Sequence, residues 1–275
     1  MSNSVSVLMA VYYRELPQNL DIALRSVFNQ TLQPEEVVLV KDGPLNPELD
    51  AVIEQYCQEF PALMKVIALP ENVGLGKALN AGLKNCSNEL VARMDSDDIS
   101  KPTRFEKQES VFQKHPEFAV VGAWVDEFYN TIDNVVSVRR LPEESEKLMK
   151  FCKRRCPFNH PVVMFRKSVI EEVGNYQDFY LFEDYYLWAR LVVKGFPMYN
   201  IQESLLFFRS NPQMILRRGG WKYAKSEIRL QRRFLDIGLI NVFTFSQNVL
   251  MRFLVRIMPN KVRHFIYKNI IRSWL

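Results

Sequence analysis

The sequence predicts an α/β protein built on a mostly parallel sheet, and two patterns carry that prediction. Four short apolar runs are suited to strands buried on both faces, and they alternate with segments whose apolar residues recur at helical spacing. Such alternation is typical of a doubly wound sheet with helices on both sides. Ligands of these sheets bind at the carboxyl ends of the strands. The functional site is therefore expected at those ends.

The first half of the chain contains four predicted strands and three predicted helices. The first helix shows the helical spacing most clearly, with apolar residues three or four positions apart. The second strand ends in Asp-Gly, a turn dipeptide. The fourth strand is followed by a segment, 97–108, that is typical of a helix start. The predicted strands are 5–12, 35–43, 64–70 and 89–98, and the predicted helices are 19–31, 47–60 and 76–86.

The second half changes character. Residues 118–129 and 135–142 alternate between apolar and polar side chains, so we expect them to pair as antiparallel strands. Residues 160–176 predict a strand and then a helix, 182–195 a helix with an acidic start, and 203–210 a last strand. No long linker or internal repeat interrupts this order. One compact domain followed by a helical C-terminal region is the expected organisation.

Acidic residues follow two of the predicted strands. Asp42 ends the second strand, and Asp95, Asp97 and Asp98 end the fourth. Crowded carboxylates repel each other unless a cation lies between them, and oxygen ligands suit a hard divalent cation. The alternative is turn and helix-cap chemistry, in which Asp is also favoured. One Asp would suffice for a cap, so the cluster favours a metal site.

Positive charge is concentrated at the C-terminal end. The net charge of the chain is +5. Six Lys and Arg residues and no acidic residue follow Asp236, so the net charge of the first 236 residues is −1. From 241 to 275 apolar residues recur at helical spacing between these cations, for example Val262, Phe265 and Ile266. A basic amphipathic helix of this kind is typical of membrane-surface elements, attracted by anionic lipids. Packing against the body or a partner subunit is the alternative.

Composition and cysteine usage narrow the protein class. A hydrophobic content of 48% with 10 Gly and 14 Pro excludes disordered and fibrous proteins. The four cysteines show neither a disulfide framework nor convincing zinc spacing, which favours free thiols in a reducing compartment. No signal peptide and no uncharged run of 18 apolar residues is evident. A nucleic-acid partner is not expected, because the body is not basic and no recognition motif is present.

Five motifs in order, "VLMAVYY", "VVLVKDG", "NVGLGKALNAG", "DSDD" and "FEDYYLWARL", resemble the family 2 glycosyltransferases, which have the GT-A fold, a Rossmann-like mixed sheet flanked by helices. The resemblance covers about residues 4–215, so it implies a catalytic domain over 1–215 and a basic amphipathic helical region over 216–275. Proteins of this family transfer a sugar from a nucleotide diphosphate sugar with inversion. Several similar proteins act on lipid-linked acceptors in bacterial O-antigen or capsule synthesis.

The resemblance assigns metal and catalytic roles. Asp97 is the implied ligand of Mn²⁺ or Mg²⁺, with Asp95 contacting the ribose or the metal, and Asp98 orienting them or capping the next helix. Asp184 matches the carboxylate that accepts the proton of the acceptor hydroxyl, and Glu183 is expected to position Asp184 or the acceptor. The alternative for these last two carboxylates is a favourable interaction with a helix N-terminus.

Nucleotide-sugar contacts are also implied by the resemblance. Asp42 matches an acidic residue that accepts a hydrogen bond from the uracil ring; a simple Asp-Gly turn is the alternative. The block that contains Asn72, Gly74 and Lys77 resembles a nucleotide-contacting loop, although Leu79 replaces an Arg of the family pattern. It is neither a phosphate-binding P-loop nor a dinucleotide fingerprint, because the required Gly spacing is absent. The remaining expected contacts are Ala10, Tyr12, Asp95 and Arg209.

Three further sites have two interpretations each. His160 matches a His that similar proteins often carry, so it is a possible substrate contact, although a lone His is more often structural. Arg209 and the pair Arg217 and Arg218 suit diphosphate recognition or simple solvation. Trp124 and Trp188 are expected in the core rather than as platforms on which a sugar stacks.

The sequence therefore predicts a metal-dependent inverting hexosyltransferase. The expected donor is UDP-Gal, UDP-Glc or UDP-GlcNAc, and the expected acceptor is a sugar on a polyprenyl diphosphate. The protein is expected in the cytoplasm, on the cytoplasmic face of the inner membrane. A nucleotidyltransferase is the alternative enzyme, but the first strand lacks its Gly-rich phosphate loop. A non-catalytic sugar-nucleotide or lipid-binding protein is the other alternative, disfavoured because both Asp97 and Asp184 are present.

Overall fold

The first half of the chain forms the parallel part of the sheet. A computed structural model describes residues 4–210 and 220–257, and of 254–257 the backbone alone. The first four strands run parallel in the order β3-β2-β1-β4, connected by helices. The elements are β1 (Val5–Val11), α1 (Pro17–Phe28), β2 (Glu36–Lys41), α2 (Pro47–Glu59), β3 (Met64–Ala68), α3 (Leu75–Asn85) and β4 (Leu90–Asp95).

The second half extends the sheet with mixed pairing. Beyond β4 the strand order is β8-β6-β9-β5, and β7 pairs with β6. The β4–β8, β8–β6, β9–β5 and β6–β7 pairs are antiparallel, and the β6–β9 pair is parallel. The strands are β5 (Ile99–Ser100), β6 (Val120–Phe128), β7 (Val135–Arg139), β8 (Met164–Arg166) and β9 (Met198–Arg209).

The helices of this half include two at the C-terminal end. A 3-10 turn covers His160–Val162, directly before β8. The α-helices are α4 (Arg104–Lys114), α5 (Ser145–Cys152), α6 (Lys167–Glu172), α7 (Glu183–Val193), α8 (Trp221–Asp236) and α9 (Val242–Ile257).

Two apolar cores lie on the two faces of the sheet. The side chains of successive strand residues point to opposite faces, so Leu8 joins one core and Val7 the other. The core beneath α3, α7 and α8 contains Trp188, which is fully buried as expected. The core beneath α1, α2 and α4 contains Leu24 and Phe105. These cores hold the carboxyl ends of β1, β2 and β4 at one edge.

The predicted α/β fold with a mostly parallel sheet is confirmed, with three corrections. The last strand begins at Met198, five residues earlier than predicted. Helix α5 was not predicted, because only Leu148 and Cys152 mark its buried face. The segment after the acidic cluster first forms β5, and helix α4 begins only at Arg104.

The delayed start of α4 removes one interpretation of Asp98. Pro102 disfavours helical geometry at the residue before it, so the helix does not begin before Pro102. The N-cap of α4 is Thr103, and β5 instead pairs with β9. The expectation that Asp98 caps the following helix is therefore wrong.

The four cysteines are all free thiols. None of the helices within residues 4–210 and 220–257 combines the length and apolarity that a bilayer-spanning helix needs. Of the predicted C-terminal region, Arg217, Arg218 and residues 258–275 lie outside the described residues.

Candidate active site

Three carboxylates meet where β4 ends. Asp95 is the last residue of β4 and lies in register with Ala10 of β1. Asp97 and Asp98 follow in the turn, and one carboxylate oxygen of each of the three residues lies within 4.8 Å of the others. The structure thus brings together the predicted metal ligands at the carboxyl edge of the sheet.

The electrostatics of this acidic cluster are unfavourable without a counter-charge. Burial, followed by the nearby charges of Asp95 and Glu15, raises the pKa of Asp97 to about 7. Burial and the other two aspartates also raise the pKa of Asp98 well above its usual range. Glu15 lies in the loop after β1, where its carboxylate accepts a hydrogen bond of 3.3 Å from the Ser96 hydroxyl. Glu15 was not among the predicted site residues.

Arg209 at the end of β9 fixes the acidic turn. Its backbone N–H donates to Asp98 Oδ1 at 2.8 Å, and its Nε donates to the carbonyl of Asp97 at 2.8 Å. Asp98 is fully buried, and its Oδ2 has no hydrogen-bond partner among residues 4–210 and 220–257. A buried carboxyl oxygen without a partner is costly, so the cluster fits a cation that would satisfy it.

A buried arginine lies beside the acidic cluster. Arg93 is 1% exposed, and its Nη2 forms an ion pair with Asp95 Oδ1. Its Nε and Nη1 have no partner within the described part of the chain. Burial raises the pKa of Glu183 and lowers that of His160; the Arg93 charge opposes the first shift and adds to the second, so Arg93 lies near both groups. Arg93 was not among the predicted site residues, although a charged residue inside an apolar strand is a signal of such a role.

Asp42 anchors the loop that precedes α3. Its Oδ1 accepts the Val73 N–H at 2.7 Å, and its Oδ2 accepts from the Asn72 side chain at 3.0 Å and the Gly74 N–H at 3.2 Å. Gly74 has a φ of +87°, which favours glycine. The predicted nucleotide-contacting residues of this loop are therefore held together by the Asp42 carboxylate. Lys77 is exposed and pairs with a residue of the α6–α7 loop, Asp178, at 3.3 Å.

Two further carboxylates begin α7. Burial and the adjacent Asp184 raise the pKa of Glu183 to about 7, and Asp95 also contributes. The backbone of Gly76 approaches Glu183 so closely that an added Cβ would lie 3.4 Å from the Glu183 Cβ. Asp184 Oδ1 accepts the Tyr185 N–H at 2.7 Å, and the Cys156 sulfur lies 3.9 Å from Asp184 Oδ2. The start of α7 thus meets the start of α3 at the same edge as the acidic cluster.

His160 is buried beneath this edge. Its Nε2 lies 2.9 Å from the Tyr176 hydroxyl, and burial together with the Arg93 charge holds its pKa well below the usual range. Tyr176 is in turn fixed by Asn80, whose side chain bonds both the Tyr176 carbonyl and its N–H, at 2.7 and 2.9 Å. His160 is therefore a neutral group within a rigid polar network, and the sequence analysis missed both of its supports.

The comparison with known families identifies the chain. The sequence pattern of the family described as "Glycosyl transferase family 2" matches residues 6–174, more than half of the chain. The chain belongs to this family. It is a glycosyltransferase, as the motifs predicted.

Relatives of this glycosyltransferase match it along nearly its whole length. The amylovoran biosynthesis glycosyltransferase AmsE of Erwinia amylovora is 40% identical over 264 residues, which cover 96% of this chain and 98% of AmsE. The UDP-Gal:alpha-D-GlcNAc-diphosphoundecaprenol beta-1,3-galactosyltransferase of Escherichia coli is 39% identical over 271 residues, which cover 98% of this chain and 97% of that protein.

A solved structure supports the GT-A fold. The crystal structure of S. aureus TarS 1-349 in complex with UDP-GlcNAc superimposes with a TM-score of 0.67 at 18% identity, covering 92% of this chain and 72% of TarS 1-349.

The exposed Tyr12 and the half-buried Ala10 of the glycosyltransferase lie at the end of β1, beside Asp95. Most predicted site residues therefore lie along the carboxyl edge of the sheet. The side chain of Lys77 instead forms an exposed ion pair with Asp178.

Proposed function

We propose that this glycosyltransferase moves a hexose, with inversion, from a UDP-sugar to a hydroxyl of a sugar carried on a polyprenyl diphosphate. One observation carries the proposal. The Asp95, Asp97 and Asp98 cluster and the Glu183–Asp184 pair meet at one edge of the sheet, close enough for Asp95 to raise the pKa of Glu183. Sugar transfer needs both parts, a site for the diphosphate and a proton acceptor for the incoming hydroxyl.

Asp95 and Asp97 would hold Mn²⁺ or Mg²⁺. The fit rests on the crowding of the carboxylates and on the buried Oδ2 of Asp98, which has no partner among the described residues. When bound, the cation supplies positive charge that stabilises the diphosphate leaving group. Arg93 orients Asp95 from below through its ion pair. Arg209 orients the turn through its bonds to Asp97 and Asp98.

Asp184 is the proposed general base. The acceptor oxygen forms a bond to the anomeric carbon while the bond from that carbon to the diphosphate oxygen breaks. The electron pair leaves with UDP, and the hydroxyl proton passes to Asp184. In-line displacement converts an α-linked donor into a β-glycoside. Glu183, which lies against Gly76 at the start of α3, is proposed to position Asp184 or the acceptor.

The nucleotide is proposed to lie along the edge formed by β1, β2 and the loop before α3. Ala10 and Tyr12 line the end of β1, and Asp42 shapes the loop that presents Asn72 and Gly74. Asp42 is proposed to use its remaining acceptor capacity for the uracil ring. The hydrogen-bonded pair of His160 and Tyr176 lies beneath this edge of the sheet. It is proposed to contact substrate through Tyr176. A proton-transfer role for His160 is not proposed, because His160 is buried and neutral.

The relatives narrow the donor and acceptor. The E. coli protein is named for UDP-Gal as donor and GlcNAc-diphosphoundecaprenol as acceptor. Identity of 39% along nearly both chains supports the same pair of substrate classes here. UDP-galactose and a GlcNAc diphosphate lipid are therefore the first substrates to test, within the set of UDP-hexoses.

The C-terminal region, 216–275, is proposed to lie on the cytoplasmic face of the membrane. The outer face of α9 exposes apolar side chains, with Phe243 70% exposed. The outer face of α8 is basic. Apolar and basic surface together favour an anionic bilayer. The exposed apolar residues are Val242, Phe243, Leu250 and Met251, and the exposed basic ones are Lys222, Lys225, Arg229, Arg232 and Arg233.

The test is UDP release by the purified protein with a panel of UDP-hexoses, a short-chain lipid diphosphate-GlcNAc acceptor, and Mn²⁺ or EDTA. We expect release that requires one donor, the acceptor and the metal. Asp97→Ala and Asp184→Asn should abolish it, while Asp133→Asn in an exposed turn should not. Metal-independent release, or full activity in Asp184→Asn, would contradict the assigned roles. Absence of UDP binding would contradict the function itself.

A further inference from the structure

Three consecutive backbone carbonyls at the end of α5 are bonded by side chains from two other helices. The Tyr185 hydroxyl of α7 donates to the carbonyl of Cys152 at 2.7 Å. From α9, Asn248 Nδ2 donates to the carbonyl of Lys153 at 2.9 Å, and Arg252 Nη2 donates to the carbonyl of Arg154. The end of a helix leaves its last carbonyls without intrahelical partners. Here Tyr185 of α7 provides a partner for the last carbonyl of α5, and α9 provides partners for the next two.

The two α9 side chains are themselves fixed by buried polar groups of α8. Asn248 Nδ2 also donates to Gln231 Oε1 at 2.8 Å, and Arg252 Nη1 donates to Glu227 Oε1. Gln231 is 0% exposed and Glu227 is 2% exposed. Buried polar groups stabilise a helix pair less than apolar packing does, but they specify one arrangement. The hairpin of α8 and α9 is thus built to hold the segment after α5 in one position.

That segment lies directly against the proposed base. Cys156, two residues beyond the bonded carbonyls, places its sulfur 3.9 Å from Asp184 Oδ2. Tyr185, the neighbour of Asp184, bonds Cys152 on one side and packs its ring on Phe234 of α8 at 4.9 Å on the other. Residues 152–156 are therefore held between the hairpin and the start of α7.

We propose that the α8–α9 hairpin positions the acceptor side of the active site, with Asn248 and Arg252 acting on Asp184 through residues 152–156. The proposal rests on the proposed role of Asp184. The donor side is built separately, from the ends of β1, β2 and β4 and the loop before α3. The hairpin also carries the face proposed to meet the membrane, so one element links the membrane to the acceptor side.

The test compares Asn248→Ala and the double variant Glu227→Gln/Arg252→Met with the wild type. The double variant avoids a buried Glu227 that has lost the facing cation. Arg25→Met is the matched control, because Arg25 forms an exposed ion pair with Asp21 on α1. Three quantities are measured in full-length protein: transfer to a water-soluble acceptor analogue, UDP affinity by calorimetry, and amide hydrogen exchange across residues 153–158.

We expect kcat/KM for the acceptor to fall about tenfold in both hairpin variants, because a small displacement of a reacting group is costly. UDP affinity should stay at the wild-type value, and exchange should accelerate across 153–158 but not at the acidic cluster. Arg25→Met should change none of the three quantities. A loss of acceptor kcat/KM with unchanged UDP affinity would not arise from a general loss of stability, which would weaken UDP binding as well.

Two results would overturn the proposal. Unchanged acceptor kinetics would show that the hairpin only packs on the domain, and a parallel loss of UDP affinity would show that it supports the whole fold. Asp184→Asn is assayed alongside. Transfer by the wild type that disappears in Asp184→Asn leaves the proposed function standing whatever the hairpin variants do, whereas an active Asp184→Asn protein contradicts the proposed base itself.

Discussion

Replacing Arg93 by Met tests whether the buried guanidinium holds the acidic edge together. The side chain is 2% exposed and pairs with Asp95, so the substitution leaves that carboxylate facing an apolar neighbour. Met has a similar length and fills much of the same space. The change therefore removes a charge rather than opening a large cavity.

The expected loss in the free energy of unfolding is about 3 kcal/mol, the lower end of the roughly 3–5 kcal/mol seen when one partner of a buried ion pair is removed. The lower end applies because Nε and Nη1 of Arg93 have no partner among the described residues, so the variant also loses their desolvation cost. The pKa of Glu183 should rise further, since Arg93 now lowers it.

Urea unfolding, followed by tryptophan fluorescence, measures the stability loss. Arg25→Met makes the same chemical change at an exposed ion pair and should leave the unfolding midpoint unchanged. Adding Asp95→Asn to Arg93→Met should recover part of the stability, because the carboxylate without its cation is then neutral. Stability equal to that of Arg25→Met, with an unmoved pH profile of transfer, would refute the assigned role of Arg93.

Four other predictions concern the site and the packing of the sheet. The first concerns pH, because the pKa of Glu183 is about 7. If transfer requires ionised Glu183, kcat/KM measured at saturating Mn²⁺ should be about tenfold lower at pH 6 than on its plateau at high pH. A fall in kcat/KM centred below pH 5 would contradict this. The same raised pKa means that protonated Glu183 stabilises the fold, so its contribution is lost as pH rises towards 7, which thermal unfolding of Glu183→Gln against wild type checks. Asp42→Asn should weaken UDP binding about tenfold in calorimetry, because one N–H of the loop before α3 loses its acceptor. Unchanged UDP affinity would show that this loop does not contribute to nucleotide binding. Gly122→Ala should cost about 1–3 kcal/mol in urea unfolding, since the new Cβ would lie 2.1 Å from Asn200 Oδ1 and 2.6 Å from the Phe158 ring; wild-type stability would show that these neighbours can shift.

The sequence by itself determined the fold class and the edge on which the site lies. Strand and helix periodicity are local properties, so the apolar runs and the helical segments between them predicted four parallel strands, β1 to β4 in chain order. Parallel strands put their carboxyl ends on one edge, which is why Asp42 and Asp95 could be placed together before any coordinates. The family motifs added the expectation for Glu183 and Asp184.

Only the tertiary structure decided which residues support these groups. Asp98 bonds Arg209, 111 residues away, and Lys153 bonds Asn248, 95 residues away. Such pairs depend on how helices and strands pack, and no local period records them. Arg93 was visible as a charge inside an apolar strand, but its partner and its position under the site follow from the sheet and α7 closing over it. The hairpin acts on the site for the same physical reason, since side chains distant in sequence become neighbours only when the two cores have formed.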